Sequence, residues 1–144
     1  MNSNRLILNM EASSGNGEDS HFIYDDAYSE SVVLGVFDGL GGRSAGFDGI
    51  TGGRIASKQA VLTTQRVLKQ WNGRLNKDIA IEIQSAVCQA LKSQAELNMG
   101  KSRLSGTLTG TRLCTTVAVA SIPKNFAQED GSRKIGLAWM GDSR

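Results

Sequence analysis

The sequence predicts an α+β fold in which two helices pack on an antiparallel sheet, and three observations support this. Apolar, β-branched runs at residues 20–24 and 32–37 precede two segments with helical spacing, 54–71 and 77–97, and two more such runs follow at 115–122 and 134–140. Strands and helices therefore come in blocks, which favours antiparallel pairing over alternating βαβ units. The 144 residues, 40% hydrophobic and 21% charged, are sufficient for one globular domain with its own core.

The strands differ in pattern. Residues 5–8 and 20–24 are expected to be short strands, and the continuous run VVLGVF at 32–37 is typical of a strand buried on both faces. Residues 115–122 and 134–140 alternate as half-buried strands do, with Asp130-Gly131 as a turn between them.

The helices have start and stop signals. The first, over residues 54–71, is expected to end at Asn72-Gly73. The second is expected to begin after Asn76 as N-cap, with Asp78 in its first turn, and to end at residues 98–100. Its predicted buried face comprises Ile79, Ile83, Ala86, Ala90 and Leu97.

Several classes of protein are excluded. The apolar runs are far shorter than the roughly 18 to 20 residues that span a bilayer, and residues 1–10 do not resemble a signal peptide, so we expect a cytoplasmic protein without a membrane partner. Cys88 and Cys114 form no Cys-x-x-Cys motif and the chain has one histidine, which argues against a zinc knuckle or a disulfide framework. Both cysteines are expected to be buried thiols.

Charge is distributed unevenly along the chain. Residues 1–50 hold eight acids and two bases, a net charge of −6, and because the whole chain carries +2 the remainder carries +8. The basic residues are spread through the helical segments rather than clustered, which favours a solvated face over a nucleic-acid surface. We therefore expect no nucleic-acid partner.

The most distinctive local feature is GVFDGLGG at residues 35–42. Asp38 follows a buried strand, so its carboxylate is expected at the rim of the core, where it is costly unless paired or bound to a metal. The glycines after it permit close approach of a ligand to the backbone. A turn in which Asp38 accepts hydrogen bonds from its own following amides remains the alternative.

Two nucleotide-binding motifs fail on this sequence. The glycines after Asp38 lack the third glycine of the dinucleotide fingerprint G-x-G-x-x-G, because Ser44 occupies that position. Gly100-Lys101-Ser102 resembles the end of a phosphate-binding loop, but Ala95 stands where its first glycine is needed. A nucleotide-binding domain is accordingly the weakest of the functional hypotheses.

A second acidic element, Glu18-Asp19, begins the strand that precedes VVLGVF. Adjacent carboxylates repel each other, and exposure to water or a shared cation resolves the repulsion. If the two strands are neighbours, Glu18, Asp19 and Asp38 lie at one rim of the sheet and form an oxygen-rich pocket of the kind that Mg²⁺ and Mn²⁺ prefer.

Four segments in order resemble the N-terminal motifs of the metal-dependent protein serine/threonine phosphatases of type 2C: GNGEDSHFIYDD, VVLGVFDGLGGRSAG, LCTTVAVASI and IGLAWMGDSR. The resemblance implies a β-sandwich flanked by helices, of which residues 1–144 are the N-terminal portion of a single, incomplete domain. It also implies two Mn²⁺ or Mg²⁺ ions that activate a water for attack on phosphoserine or phosphothreonine of a phosphoprotein substrate.

The same resemblance implies roles for individual residues. Asp38 is the catalytic carboxylate bridging both metals, Gly39 offers its backbone carbonyl, and Glu18 and Asp19 contact the metals directly or through water. Asp142 of the GDSR motif is a turn residue and a candidate for an auxiliary metal site.

Departures from the family pattern support an alternative. The arginine that often holds the substrate phosphate is Ser14 here, and Leu40 stands where some members carry a histidine, although bacterial-type members commonly have an apolar residue there. His21 is expected to be an ordinary strand residue. The aspartates that complete the family's metal site come from later motifs, so the chain is expected to be inactive alone, and a non-catalytic pseudophosphatase or protein-binding module remains the alternative.

Overall fold

A computed structural model describes residues 17–40, 49–101, 113–125, 132 and 134–141. In these ranges four strands form one antiparallel sheet in the order β1-β2-β3-β4. The elements are β1 (Asp19–Tyr24), β2 (Ser31–Asp38), α1 (Gly52–Gln70), α2 (Lys77–Lys101), β3 (Val117–Pro123) and β4 (Gly136–Met140). The prediction of two helices with an antiparallel sheet is confirmed, whereas the expected strand at 5–8, the turn Asp130-Gly131 and Asp142 lie outside the described residues.

The two helices cover one face of the sheet, which we call the inner face. α1 packs on β1 and β2, and α2 packs on α1. Phe22, Val33 and Phe37 project from the sheet into this core, and the Phe22 and Phe37 rings lie 5.8 Å apart between centroids. Further along the helices, a cavity of about 500 Å³ separates α2 from β4.

The opposite face, which we call the outer face, is apolar and lies open in the described part of the chain. In β2, burial alternates: Val33 and Phe37 are 0% and 1% exposed, but Leu34 and Val36 are 37% and 55% exposed. The expectation that residues 32–37 are buried on both faces is therefore wrong, because only one face has a layer packed against it. The strand register places these apolar residues on the outer face: Ile23, Val32, Leu34, Val36, Ala118, Ala120, Ile122, Leu137 and Trp139.

The helix ends follow the signals in the sequence. At the end of α1, Asn72 and Gly73 both have positive φ, 51° and 76°, and the Gly73 amide donates to the Leu68 carbonyl at 2.9 Å. This left-handed termination favours glycine. Asn76 caps α2 as predicted, since its side-chain oxygen accepts from the Ile79 amide at 2.9 Å.

Two details of α2 and the burial of the two cysteines differ from expectation. The helix continues through Gly100 to Lys101. Leu97 is 60% exposed, because buried positions recur every four residues along α2 and Leu97 lies two residues beyond the last of them. Cys88 is exposed and Cys114 is partly buried, so the two cysteines are not both core residues. The buried positions are Ile79, Ile83, Val87, Leu91 and Ala95.

The described helices do not resemble membrane spans. Neither α1 nor α2 combines the length with the apolar character that crossing a bilayer requires.

Candidate functional site at the sheet rim

The start of β1 and the end of β2 meet at one rim of the sheet. Asp19 lies directly opposite Asp38 in the pairing of the two strands. Residues directly opposed in antiparallel strands direct their side chains to the same face, and both aspartates are exposed. Phe37, next in β2, is buried on the inner face, so the two carboxylates belong to the outer face. We call Glu18, Asp19, Asp38 and Gly39 the carboxylate rim.

Backbone hydrogen bonds fix the rim from β1. The Gly39 amide donates to the Glu18 carbonyl at 3.2 Å, which extends the β1–β2 pairing by one step beyond the two aspartates. The Glu18 backbone is thereby tied to the end of β2, while Glu18 itself is half-buried. The structure thus brings the backbones of Glu18, Asp19, Asp38 and Gly39 together at one rim, and the sharing of one metal site by their oxygens stays a prediction.

Two threonines before β3 hold the other side of Asp38. The Asp38 carbonyl accepts from the Thr116 amide at 2.8 Å and from the Thr115 hydroxyl at 2.9 Å. The Asp38 amide in turn donates to the Thr116 hydroxyl at 3.3 Å. These threonines are not among the predicted site residues, because their sequence pattern indicates only a strand. Their fixed bonds restrict the Asp38 backbone and so limit where its carboxylate can reach.

Gly39 and Gly53 meet where the rim contacts the start of α1. A Cβ on Gly39 would lie 2.1 Å from the Gly53 carbonyl oxygen, and a Cβ on Gly53 would lie 2.8 Å from the Gly39 carbonyl oxygen. Only glycine fits at such a backbone contact. The sequence suggested that glycine here admits a ligand, but the group that approaches Gly39 in the structure is the backbone of α1.

This contact brings the N-terminus of α1 to the rim. The Thr51 hydroxyl caps the helix by accepting from the Arg54 amide at 3.3 Å. The Arg54 guanidinium donates through Nη1 to the Gly17 carbonyl at 2.9 Å, and the Ser57 and Ser20 hydroxyls lie 2.9 Å apart. The N-terminus of α1 therefore contacts the rim through its backbone at Gly39, on the side of the sheet opposite to the Asp19 and Asp38 side chains. Arg54 was not among the predicted site residues.

Within the described ranges, the carboxylate rim has the type of oxygen ligand that a divalent cation prefers, but too few of these ligands to form a metal site. Asp19 and Asp38 face the same side, and carboxylate oxygens are the donors that Mg²⁺ and Mn²⁺ prefer. Like charges directly opposite each other destabilise a strand pair, and a cation would relieve this. The described residues nevertheless contain no group of three or more His, Cys, Asp or Glu side chains arranged to hold a metal.

The remaining predicted residues fall into two groups. His21 is an exposed residue of β1, opposite Val36 on the outer face, and Leu40 is 62% exposed just beyond Gly39. Ser14 and Asp142 lie outside the described residues, so the roles considered for them stay predictions.

Comparison with protein-family models, with curated proteins and with solved structures gave no match for this chain.

Proposed function

We propose that the chain is the N-terminal portion of a metal-dependent protein serine/threonine phosphatase similar to type 2C, which hydrolyses phosphoserine and phosphothreonine in phosphoproteins. The observation that carries the proposal is the direct opposition of Asp19 and Asp38 at one sheet rim. Sequence motifs suggested that these acids belong to one site, and the strand register independently puts them side by side. The proposed protein is cytoplasmic and has neither nucleic acid nor membrane as its partner.

In this proposal the rim residues hold the metals. Asp38 binds through its carboxylate, Asp19 and Glu18 add oxygen ligands directly or through water, and the Gly39 carbonyl is a further candidate. When bound, two Mn²⁺ or Mg²⁺ ions supply the chemistry by lowering the pKa of a shared water and neutralising phosphoryl charge. The chain's own contribution is positional, because Thr115 and Thr116 fix the Asp38 backbone.

The open outer face supports the finer fold proposal, a β-sandwich that is incomplete in this chain. Val36, Leu137 and Trp139 are each more than half exposed, at 55%, 66% and 60%. A contiguous apolar patch of this kind is uncommon on a monomer surface and marks a contact surface. A second sheet packed there would lie on the same side as the two aspartates and could bring further oxygen ligands to the rim.

The shortage of ligands favours the second candidate, a non-catalytic pseudophosphatase or protein-binding module. The described residues assemble no three-member metal group, and the arginine expected to hold the substrate phosphate is replaced by Ser14. In that case the same scaffold would bind a partner through its surface without turnover.

The first test of the proposal is Mn²⁺ binding by the 144-residue chain. Binding is measured as a shift in the chain's thermal unfolding midpoint. We expect a stabilising shift only at about millimolar Mn²⁺, the affinity of weak, incomplete sites. Asp38→Asn should abolish the shift, because the amide keeps the volume and loses the charge. Glu96→Gln, at an exposed position of α2, is the matched control and should keep it. An equal shift in wild type and Asp38→Asn would refute the assignment of Asp38.

The second test concerns the reaction. The 144-residue chain should release phosphate from a phosphothreonine peptide at the background rate, since its described residues assemble no group of three metal-binding side chains. In a protein that also contains the proposed second layer, Asp38→Asn should lower Mn²⁺-dependent release about a hundredfold or more, because loss of a direct ligand exceeds the 10- to 100-fold effect of outer partners. Metal binding without turnover in that protein would instead establish the non-catalytic candidate.

A further inference from the structure

The charged residues of α1 are all basic, and the proposed phosphatase site does not use them. Between Gly52 and Gln70, α1 contains four basic residues and no acidic residue. By contrast, the Lys and Glu residues of α2 are mixed along its length. The sequence suggested that the basic residues of this chain are merely scattered.

In α1 the basic residues fall on one face. Arg54, Lys58 and Arg66 belong to a series spaced by four residues, with Leu62 filling the remaining position. At about 100° per residue, this series drifts by only about 40° at each step, and Lys69 falls within the same arc of about 120°. Lys58, Leu62, Arg66 and Lys69 are exposed and Arg54 is half-buried. We call these five residues the basic stripe.

The N-terminal end of the basic stripe opens into a groove against β1. A cavity of about 330 Å³ is lined by Asp19 and His21 from the strand and by Arg54, Lys58 and Leu62 from the helix. The groove therefore combines two cations and one carboxylate with an apolar side chain, Leu62, that is 62% exposed. It lies beside the carboxylate rim, with which it shares Asp19.

We infer that the basic stripe and its groove form a docking surface for an extended acidic peptide segment of a partner protein. Charge complementarity supports this occupant, because opposite potentials across an interface steer and register the partner. Spacing supports it too. Residues four apart on a helix are separated by about 6 Å along the axis, and alternate residues of an extended chain by about 6.6 Å. Acids at alternate positions can therefore meet Arg54, Lys58 and Arg66, while the acid between the last two meets Leu62.

A nucleic acid fits the same surface less well. Single-stranded nucleic acid is held by a cationic groove together with aromatic side chains on which its bases stack. Neither Trp, Tyr nor Phe lines this groove in the described part of the chain. A continuous phosphate backbone would also meet Asp19, which lines the groove and repels it. A peptide can place a neutral residue at that point.

The inference is independent of phosphatase activity, since it concerns binding alone. The probe is a fluorescein-labelled octapeptide with Glu at alternate positions and Ser between them, and its reference has Gln in place of Glu. Binding to the 144-residue chain is followed by fluorescence anisotropy at 0.1 M salt. We expect the Glu peptide to bind at least about fivefold more tightly than the Gln peptide, as several exposed ion pairs of modest strength together allow.

The variants distinguish the stripe from general charge. Lys58→Gln combined with Arg66→Gln should weaken binding of the Glu peptide about fivefold. Lys77→Gln combined with Lys92→Gln, both exposed on α2, removes the same charge elsewhere and should change binding less than twofold. Raising salt to 1 M, which shortens the Debye length from about 10 to about 3 Å, should remove the preference for Glu. Circular dichroism verifies that each variant is folded.

Three results would overturn the inference. The first is equal binding of the Glu and Gln peptides. The second is an equal loss in the α1 and α2 double variants, which would indicate only long-range attraction by net charge. The third is tighter binding of a labelled oligothymidylate than of the Glu peptide, weakened by the same α1 substitutions, which would assign the surface to nucleic acid.

Discussion

On the inner face of the sheet, Val33 and Phe37 are 0% and 1% exposed beneath the helices, whereas on the outer face Val36 and Leu137 are 55% and 66% exposed. The side chains are similarly apolar on the two faces. Their different exposure reflects which layer is packed on each face and not a difference in hydrophobicity. This sheet therefore has apolar side chains on both faces, as a sheet buried between two layers has, but in the described part of the chain the helices cover only one face.

The comparison also separates stability from function along β2. Inner residues bind the strand to α1, and the next residue beyond Phe37, Asp38, emerges on the outer side with Asp19. The packed face therefore fixes the strand, and the open face presents the carboxylates. Substitutions on the inner face should therefore lower the free energy of unfolding, whereas substitutions on the outer face should mainly change association.

The largest effect is expected for Phe37→Ala. Phe37 is 1% exposed and packs in the core against Phe22, so its truncation removes buried apolar surface and leaves a cavity. We expect the free energy of unfolding to fall by about 3–5 kcal/mol, measured by urea denaturation. Val36→Ala, the neighbouring position on the outer face, is the control and should cost less than about 1 kcal/mol. Similar losses for the two variants would contradict the one-sided packing.

A smaller effect on stability, with a clear effect on association, is expected on β4. Replacing Leu137 and Trp139 by Thr keeps a strand-forming residue and removes two large side chains that are 66% and 60% exposed. Each change should alter the free energy of unfolding by no more than about 0.5 kcal/mol. Because exposed apolar patches favour association, the double variant should remain monomeric in sedimentation velocity at concentrations where the wild type associates.

The control for this experiment is Leu97→Gln, which removes an apolar side chain of α2 that is 60% exposed and does not line the cavity between α2 and β4. It lowers exposed apolar surface away from the outer face and should leave association unchanged. If Leu97→Gln suppresses association as strongly as the β4 variant, the outer face is not the contact surface.

Local features of the fold were predictable from the sequence where short-range rules apply. Asn76 caps α2, Asn72-Gly73 ends α1, and Asp19 and Asp38 lie at one rim of the sheet. The first two depend on a few neighbouring residues. The third depends on the pairing of adjacent strands, which consecutive elements usually adopt.

Features that depend on contacts between distant segments were missed. Periodicity identified VVLGVF as an apolar strand, but it carries no information on whether a layer covers each face. The Gly39–Gly53 contact and the threonine bonds to Asp38 join segments far apart in sequence. The basic stripe is different, because the spacing of Arg54, Lys58 and Arg66 is visible in the sequence and a helical projection of residues 54–71 would have found it.

The smallest effect is expected from the ion pair that joins the β1–β2 connection to the α1–α2 connection, and so links the sheet to the helices of its inner face. Arg74 donates to Glu30 through Nε at 2.8 Å and Nη2 at 2.5 Å, with both side chains exposed. The hydrogen bond from Arg74 holds the pKa of Glu30 below its ordinary value of 4.5. A carboxylate with a lowered folded-state pKa stabilises the protein at pH values above its ordinary pKa, and this contribution is lost as the pH falls through the folded-state pKa.

Arg74→Gln should therefore lower the urea midpoint slightly at pH 7, with the difference from wild type disappearing in acid. A difference that persists fully below the folded-state pKa would show that Arg74 acts through packing, because protonation of Glu30 removes the ion pair in the wild type as well.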